Sequence, residues 1–411
     1  MRPVVIVGAG LAGLTCARRL QEREIPVKVV EAAGTVGGRV RTDEVEGFRL
    51  DRGFQVLLTA YPACRRWLDY DALELQFFDP GAEVSTPGGW QRVADPRRRW
   101  RDLGKSMRAD VGNLSDKLRV LKWAVAAKTG GVEFPWESAE MTAQDFLQNR
   151  GFSQQMIDRF WRPWLSGIFL EADLKTSSRM LEFVFSMFAR GQTAIPRLGM
   201  QAIPEQLADG LAPDVLELNQ PVAEVRADAV VLADGSGREA AAVVLAVDGE
   251  AAGNLGFPVE GLTWNEACCL YYAAPTAPTN DGMLRLNGNG VGVVNHLVTL
   301  SQVNSACAPV GQELVMVGIR PGVELDDAQL ESAVMDQLAN WFGPEIEAWR
   351  LLRQDIVRKA LPARLPLNAA PLKRQGIWHC GDALRHPSIQ GAMESGEAVA
   401  DLIADELKPG R

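Results

Sequence analysis

Gly8-Ala9-Gly10-Leu11-Ala12-Gly13, followed further on by Glu31, is a set of residues able to hold a dinucleotide. The spacing is G-x-G-x-x-G. The first glycine permits a tight turn, the second lets the backbone approach a pyrophosphate, and the third lets a helix pack closely on a strand. Leu11 and Ala12 open that helix, whose free N–H groups and positive dipole end attract phosphate. Glu31, with Ala32 beside it, is placed to accept hydrogen bonds from ribose hydroxyls, a role that suits NAD and FAD alike. The elements that must position these residues are legible around them. Val4-Val5-Ile6-Val7 is all apolar, as a parallel strand buried on both faces requires. Leu14, Ala17 and Leu20 recur a turn apart and predict a helix from Leu11 to about Arg23. Val27-Lys28-Val29-Val30 predicts the second strand, ending on Glu31.

A second glycine pair, Gly37-Gly38-Arg39-Val40-Arg41-Thr42, narrows the cofactor. It resembles the second FAD motif of the superfamily of flavin amine oxidases, protoporphyrinogen oxidases and phytoene desaturases. The resemblance implies that the glycines pass close to FAD and that Arg39 lies near its ribose and phosphates. The C-terminal run is similar to the ending of the same family: Gly381-Asp382, then Ser388-Ile389-Gln390-Gly391-Ala392-Met393-Glu394-Ser395-Gly396. There Asp382 is expected to accept from a ribityl hydroxyl. A helix starting near Gly391, with Gln390 and Ala392 beside it, is expected to aim N–H groups at the flavin N1/O2 edge. That edge gains negative charge on reduction, which a helix N-terminus stabilises. Asp51-Arg52-Gly53-Phe54-Gln55 sits where family members line the flavin ring, with Gly53 and Phe54 as contacts. Pro221-Val222 matches the strand whose amide meets adenine, at Val222. The Arg162–Phe169 and Ala194–Met200 stretches and Arg358-Lys359-Ala360-Leu361-Pro362 resemble further family elements, so the likeness spans nearly the whole chain. It implies an α/β fold: a Rossmann-like FAD-binding domain of the GR2 type with an interleaved α+β substrate-binding domain.

At 411 residues the chain exceeds one typical domain. The expected division gives 1–60, 191–250 and 355–411 to the FAD-binding domain, and 61–190 and 251–354 to the substrate-binding domain. Residues 119–190 carry helical spacing. Short alternating strands follow from Val215, an apolar strand at Ala242–Val247, more strands over 265–320, and a helix near 326–342. Six cysteines in so long a chain are no disulfide scaffold, and three dispersed histidines offer no metal cluster. No apolar run reaches bilayer length, and a strand beginning near residue 4 leaves no room for a signal or transit peptide. A cytoplasmic, reduced protein is expected. The net charge of −9 argues against nucleic acid. Residues 97–128 oppose that balance, with ten Lys or Arg against three Asp, a local charge of +7. Trp100, Trp123, Leu114, Leu118, Leu121 and Val125 give that segment an apolar stripe. Such a basic amphipathic helix either lies on an anionic membrane surface or is a solvated face over a core stripe.

The substrate is less legible. Amine oxidases of this family carry a lysine on a substrate-domain strand, and here no lysine lies between Lys175 and Lys359. Tyr271 and Tyr272 are adjacent in a strand, so at most one of them faces a site. These departures favour removal of hydride from a bulky, largely apolar small molecule, in the manner of protoporphyrinogen oxidase or a carotenoid desaturase. The alternatives are a flavin amine oxidase, a flavin-dependent isomerase without net redox, and a non-catalytic FAD-binding protein. The flavin would perform the hard step, so no dedicated acid or base is required. Gln55, Tyr272 and His386 are the candidates for a part in it. His386 reads as a capping or solvated loop residue, and His296 as a core histidine with its ring satisfied. No second G-x-G-x-x-G marks an NAD(P)H domain; Gly288-Asn289-Gly290-Val291-Gly292 lacks the spacing. Oxygen, a quinone or another small acceptor is therefore expected to reoxidise the flavin. Cys380 precedes Gly381 inside a strand, a poor position for a thioether, so FAD is expected to be held without a covalent bond.

Overall fold

The computed structural model describes residues 2–94, 98–131, 133–363 and 365–407. The elements used below are, in chain order, β1 (Val4–Val7), α1 (Leu11–Glu22), β2 (Val27–Val30), α2 (Leu114–Thr129), α3 (Arg162–Phe169), β3 (Ala242–Leu245) and β4 (Thr263–Ala274). They continue with β5 (Val294–Thr299), β6 (Glu313–Ile319), α4 (Asp327–Phe342), β7 (Arg350–Ala363), β8 (Ile377–His379) and α5 (Ile389–Leu407).

The all-apolar strands read from the sequence form the centre of a six-stranded sheet. Its order is Leu216–Glu217, β2, β1, β3, β8 and Lys373–Arg374, and β1 runs parallel to both neighbours. Alternation along β1 divides its side chains between two cores. Val4 and Ile6 join α1 and α5 on one face. Val5 and Val7 pack with Val230, Leu232, Val243 and Leu245 under a small antiparallel sheet on the other. Three distant stretches of chain thus build one layer.

The second sheet has seven strands, in the order β7, β4, β6, β5, Leu284–Leu286, Gly81–Thr86 and Gly89–Ala94. One face packs Tyr271, Val298 and Met316 toward the main core. The other packs Leu270, Tyr272, Val315 and Val317 against Leu330, Val334 and Leu338 of α4. The domain boundary expected at 355 falls inside β7, which stays paired with β4 through Ala363. Residues 355–363 therefore belong to this sheet. The reason is local: Trp264, Asn265 and Ala267 need ladder partners, and among the described residues this stretch supplies them.

Two expectations about residues 97–128 change. The segment is not one helix: a short helix at Leu103–Arg108 ends before Asn113 caps α2. Asn113 and Asp116 exchange side-chain-to-backbone bonds of 2.9 Å, a capping box that fixes the start of α2. Leu114, Leu118, Leu121 and Val125 lie on its outer face, 40–57% exposed, while Trp123 is buried on the opposite face. Arg97 and the Trp100 side chain fall outside what is described. Among the described residues no helix is long and apolar enough to cross a membrane.

Candidate functional site

Residues from both chain ends converge at the C-terminal edge of β1 and β3. Gly8 adopts φ +106°, and a Cβ there would stand 2.7 Å from the Ala246 carbonyl oxygen. A Cβ on Gly13 would stand 2.1 Å from the Gly8 oxygen, so this glycine is what brings helix and loop together. A Cβ on Gly10 would meet nothing within 4 Å. The open space lies where the chain turns into α1, with Leu11 and Ala12 buried behind it. Gly10 provides no side-chain cap, and the first turn of α1 holds no acidic residue. Its terminal N–H groups thus face that space with neither a side-chain cap nor an acidic first turn to neutralise them, which fits a pyrophosphate.

Glu31 ends β2 and takes two backbone donors, Ala9 N at 2.7 Å on Oε2 and Ala33 N at 2.8 Å on Oε1. These bonds lock the carboxylate beside the loop with lone pairs to spare. Ala32 is exposed next to it. Gln220 N donates 2.8 Å to the Glu31 carbonyl, which brings the start of the Val222–Arg226 strand, and so Val222, to the same edge. Gly37 N donates 2.9 Å to the Ala9 carbonyl, and Gly38, at φ +60°, is exposed over Gly10.

Arg39 ties the motif to the far end of the chain. Nη2 donates 2.6 Å to Asp382 Oδ1 and Nη1 donates 3.1 Å to the Ala360 carbonyl, while the guanidinium lies 5.3 Å from the Trp264 ring. Burial pulls the guanidinium down, but the Asp382 carboxylate outweighs it and holds Arg39 above its ordinary value. Asp382 also accepts from Ala383 N at 3.0 Å. Gly381 N donates 2.8 Å to Ser395 Oγ, anchoring Gly381-Asp382 on α5.

α5 starts at Ile389 and carries no acidic residue in its first turn. Ser388 Oγ accepts from Gly391 N at 2.9 Å, a serine three residues before the amide it caps. Gly391 is required because a Cβ would lie 2.0 Å from the His386 carbonyl oxygen, and Ala392 follows it half-buried. Gln390 turns the other way, its Oε1 accepting 2.8 Å from Ala63 N. Gly53, at φ +77°, faces Val357 and Ala267. Phe54 lies against Phe78 and His296. Gln55 Nε2 donates to the Arg39 and Arg52 carbonyls at 2.9 and 3.0 Å, holding this stretch beside the second glycine pair.

Other candidates land elsewhere. Tyr272 does not join the site: it is 1% exposed on the α4 side of the sheet, near Trp349. Tyr271 faces the core instead, and its Oη donates 2.9 Å to the Asp51 carbonyl. Alternation in the sequence says that one of the pair faces in, but not which. His386 is not solvated. It is fully buried, stacked on Phe134 at 4.4 Å and packed on Phe183, with Nδ1 3.0 Å from Ser388 Oγ and Nε2 3.5 Å from Glu394 Oε2. The 3.5 Å contact is an ion-pair distance without hydrogen-bond geometry, so Nε2 has no hydrogen-bond partner among the described residues. His296 is a core residue, but its ring is not satisfied, because its Nε2 is likewise buried without a partner among the described residues. Lys359 pairs with Glu250 at the surface. Sequence reasoning missed Trp264, which has no local motif, and the Ser388 cap, whose signal was its place three residues before Gly391.

The family model described as "Flavin containing amine oxidoreductase" matches residues 11–404. Protoporphyrinogen oxidase 2 of Arabidopsis thaliana is 29% identical over 166 residues, 40% of this chain and 32% of that one. Putrescine oxidase of Kocuria rosea is 27% identical over 247 residues, 55% of this chain and 49% of that one. The matches thus span half or less of these curated relatives. The crystal structure of an oxidoreductase from Methanosarcina mazei superposes with a TM-score of 0.76 at 16% identity, covering 97% of this chain and 100% of that one. Cyclohexylamine oxidase from Brevibacterium oxydans gives 0.71 at 17%, covering 99% and 100%. At these identities the structural likeness speaks for the fold alone.

Proposed function

The chain belongs to the flavin containing amine oxidoreductase family and is a flavin oxidoreductase, and on that premise we propose that it holds FAD without a covalent bond and removes hydride from a carbon of a bulky, largely apolar small molecule. When bound, FAD supplies the two-electron acceptor. Oxygen, a quinone or another small acceptor then takes the electrons. The residues of this chain hold and orient. The α1 N-terminus and Gly10 receive the pyrophosphate, Glu31 the ribose, Arg39 and Asp382 the linking groups, and the start of α5 the flavin edge. The observation that carries the substrate reading is the wall beside Gly53 and Phe54. It is lined by Leu170, Ala267, Cys269 and Ile319, with Ser166 and His296 as polar groups, Glu266 exposed and no lysine among the described lining residues. Lys359 points away to Glu250. Such a wall offers dispersion and water exclusion rather than proton chemistry on an amine.

The test is the visible spectrum of the purified protein before and after acid precipitation. Flavin bands that pass to the supernatant are expected, and apolar reductants such as porphyrinogens or polyenes should then bleach them anaerobically. Peroxide released from a panel of amines, with no bleaching by apolar reductants, would move the substrate reading to an amine oxidase. A colourless protein that takes up no added FAD would end the proposal.

The outer face of α2 adds a location. Leu114, Leu118, Leu121 and Val125 recur at helical spacing, all exposed, and Leu103 and Met107 of the preceding short helix are exposed too. Arg101, Lys105, Arg108, Lys122 and Lys128 of the same segment are exposed. An apolar stripe in a cationic segment suits an anionic bilayer surface. Co-sedimentation with phosphatidylcholine–phosphatidylglycerol vesicles is expected at low salt, weakened severalfold at 0.5 M salt (an ionic strength at which the Debye length is only about 4 Å) and lost in Leu118→Glu/Leu121→Glu. Equal partition of wild type and variant would refute this location.

A further inference from the structure

His296 stands on β5 in a niche kept open by two glycines. A Cβ on Gly318 of β6 would lie 2.2 Å from its Cε1, and one on Gly167 of α3 would lie 3.1 Å from its Nδ1. Phe54 closes the niche, its ring centroid 5.5 Å from the imidazole. A side chain at Gly318 would displace the histidine and one at Gly167 would crowd it, so the surroundings are shaped around this ring.

The hydrogen bonds fix the tautomer. The Asn295 side chain approaches the Pro163 carbonyl at 2.9 Å, and a carbonyl only accepts, so the amide nitrogen faces it. The same nitrogen lies 3.0 Å from His296 Nδ1. Nδ1 is therefore the acceptor, and the ring proton sits on Nε2. That Nε2–H is buried without a partner among the described residues. A buried donor left unpaired costs about 1–3 kcal/mol and is uncommon in native proteins. The wall that His296 shares with Phe54, Leu170, Ala267 and Cys269 is the one that borders the Gly53-Phe54 stretch.

We propose that the His296 Nε2–H is the recognition donor of the substrate pocket, so that the substrate is an apolar molecule bearing a hydrogen-bond acceptor such as a carbonyl oxygen. This rests on the reading that Gly53 and Phe54 border the flavin. Burial takes the imidazole down to about 4, so at neutral pH it is an uncharged donor that binds a neutral oxygen without pairing a charge. His296 is a positioning residue: it sets which end of the substrate is deep and takes no proton.

The test uses FAD-saturated protein, calorimetry and two probes of nearly equal shape, acetophenone and α-methylstyrene, of which only the first carries an oxygen. His296→Phe is expected to weaken acetophenone about tenfold, the size of one net hydrogen bond, and to leave α-methylstyrene within about twofold. His296→Gln, which keeps an N–H donor, is expected to recover most of the loss. Parallel changes for both probes, a Gln variant that behaves as Phe, or a wild type that binds neither would overturn the proposal. Should the Phe variant fail to fold, the 15N spectrum of the wild-type imidazole decides. A protonated Nε2 that shifts with acetophenone but not with α-methylstyrene supports the donor, and a proton on Nδ1 or unmoved signals overturn it. Flavin content separates the two readings. Protein that takes up no FAD fails the earlier one, whereas full flavin with no discrimination between probes fails only this one.

Discussion

Asp51 is where burial and hydrogen bonding oppose each other most directly. Its Oδ1 accepts from Thr42 Oγ1 at 2.5 Å and from Met200 N at 3.0 Å. Burial nevertheless dominates and pushes the carboxyl up to about 6, against those bonds and the Arg353 charge. A folded-state value above the unfolded one means that the native state binds the extra proton. The contribution to stability is complete below the ordinary carboxyl value near 4 and is lost as pH rises through about 6, up to roughly 3 kcal/mol in all. The urea midpoint of wild type minus that of Asp51→Asn should therefore fall between pH 5 and pH 8. A difference that stays flat with pH would show that Asp51 is ionised throughout. Placement that follows from residue type and spacing was legible in advance at this scale: the glycines, Glu31 and Arg39 all lie at one edge. Whether a buried group finds its partner was not. His296 looked satisfied because sequence cannot show that Asn295 engages only one of its nitrogens.

At the scale of elements, the packing of α5 on α1 holds the two ends of the site together. Gly396 faces the Ala12 carbonyl so closely that a Cβ would lie 2.2 Å from the oxygen. Both partners are backbone, so neither can swing aside and the helices must part. Gly396→Ala is expected to cost about 1–3 kcal/mol, seen as a lower melting temperature together with a reduced flavin content. Gly104→Ala is the control, since a Cβ there meets nothing within 4 Å. Equal melting temperatures for the two variants would mean that this contact does not set the helix spacing. The elements themselves were legible wherever period and punctuation agreed, as in β1, α1 and α4. The outward turn of the α2 stripe was not. Periodicity places Leu114, Leu118, Leu121 and Val125 on one face, but only tertiary packing decides that Trp123 on the other face is the one buried. The β7 boundary was missed likewise, because a strand's partner is chosen by the ladder it completes rather than by its own residues.

Across the whole molecule, the cofactor-side layer exists only when the chain has closed on itself. Arg39 meets Asp382, Arg19 and Arg23 both meet Asp401, and β3 brings the middle of the chain between β1 and β8. Arg353 of the second sheet holds the 42–51 hairpin, donating to Asp43 at 2.8 Å and to the Leu50 and Asp51 carbonyls, and also to Asp355 on its own strand at 2.8 Å. No short segment carries the site, so FAD has little to hold in the unfolded chain and should bind the native state almost exclusively. Its binding free energy then appears as stability, about 2.7 kcal/mol at a hundredfold excess over Kd and about 1.4 kcal/mol more for each further tenfold. For a chain of this size the unfolding entropy converts each tenfold step into roughly 1–2 °C. Apoprotein titrated with FAD should therefore melt at temperatures that climb linearly with log concentration above saturation, without a plateau. A melting temperature indifferent to FAD across that range would mean that the glycine loop, Glu31 and α5 form a scaffold that stands equally well without its cofactor. The convergence of both chain ends would then serve folding alone.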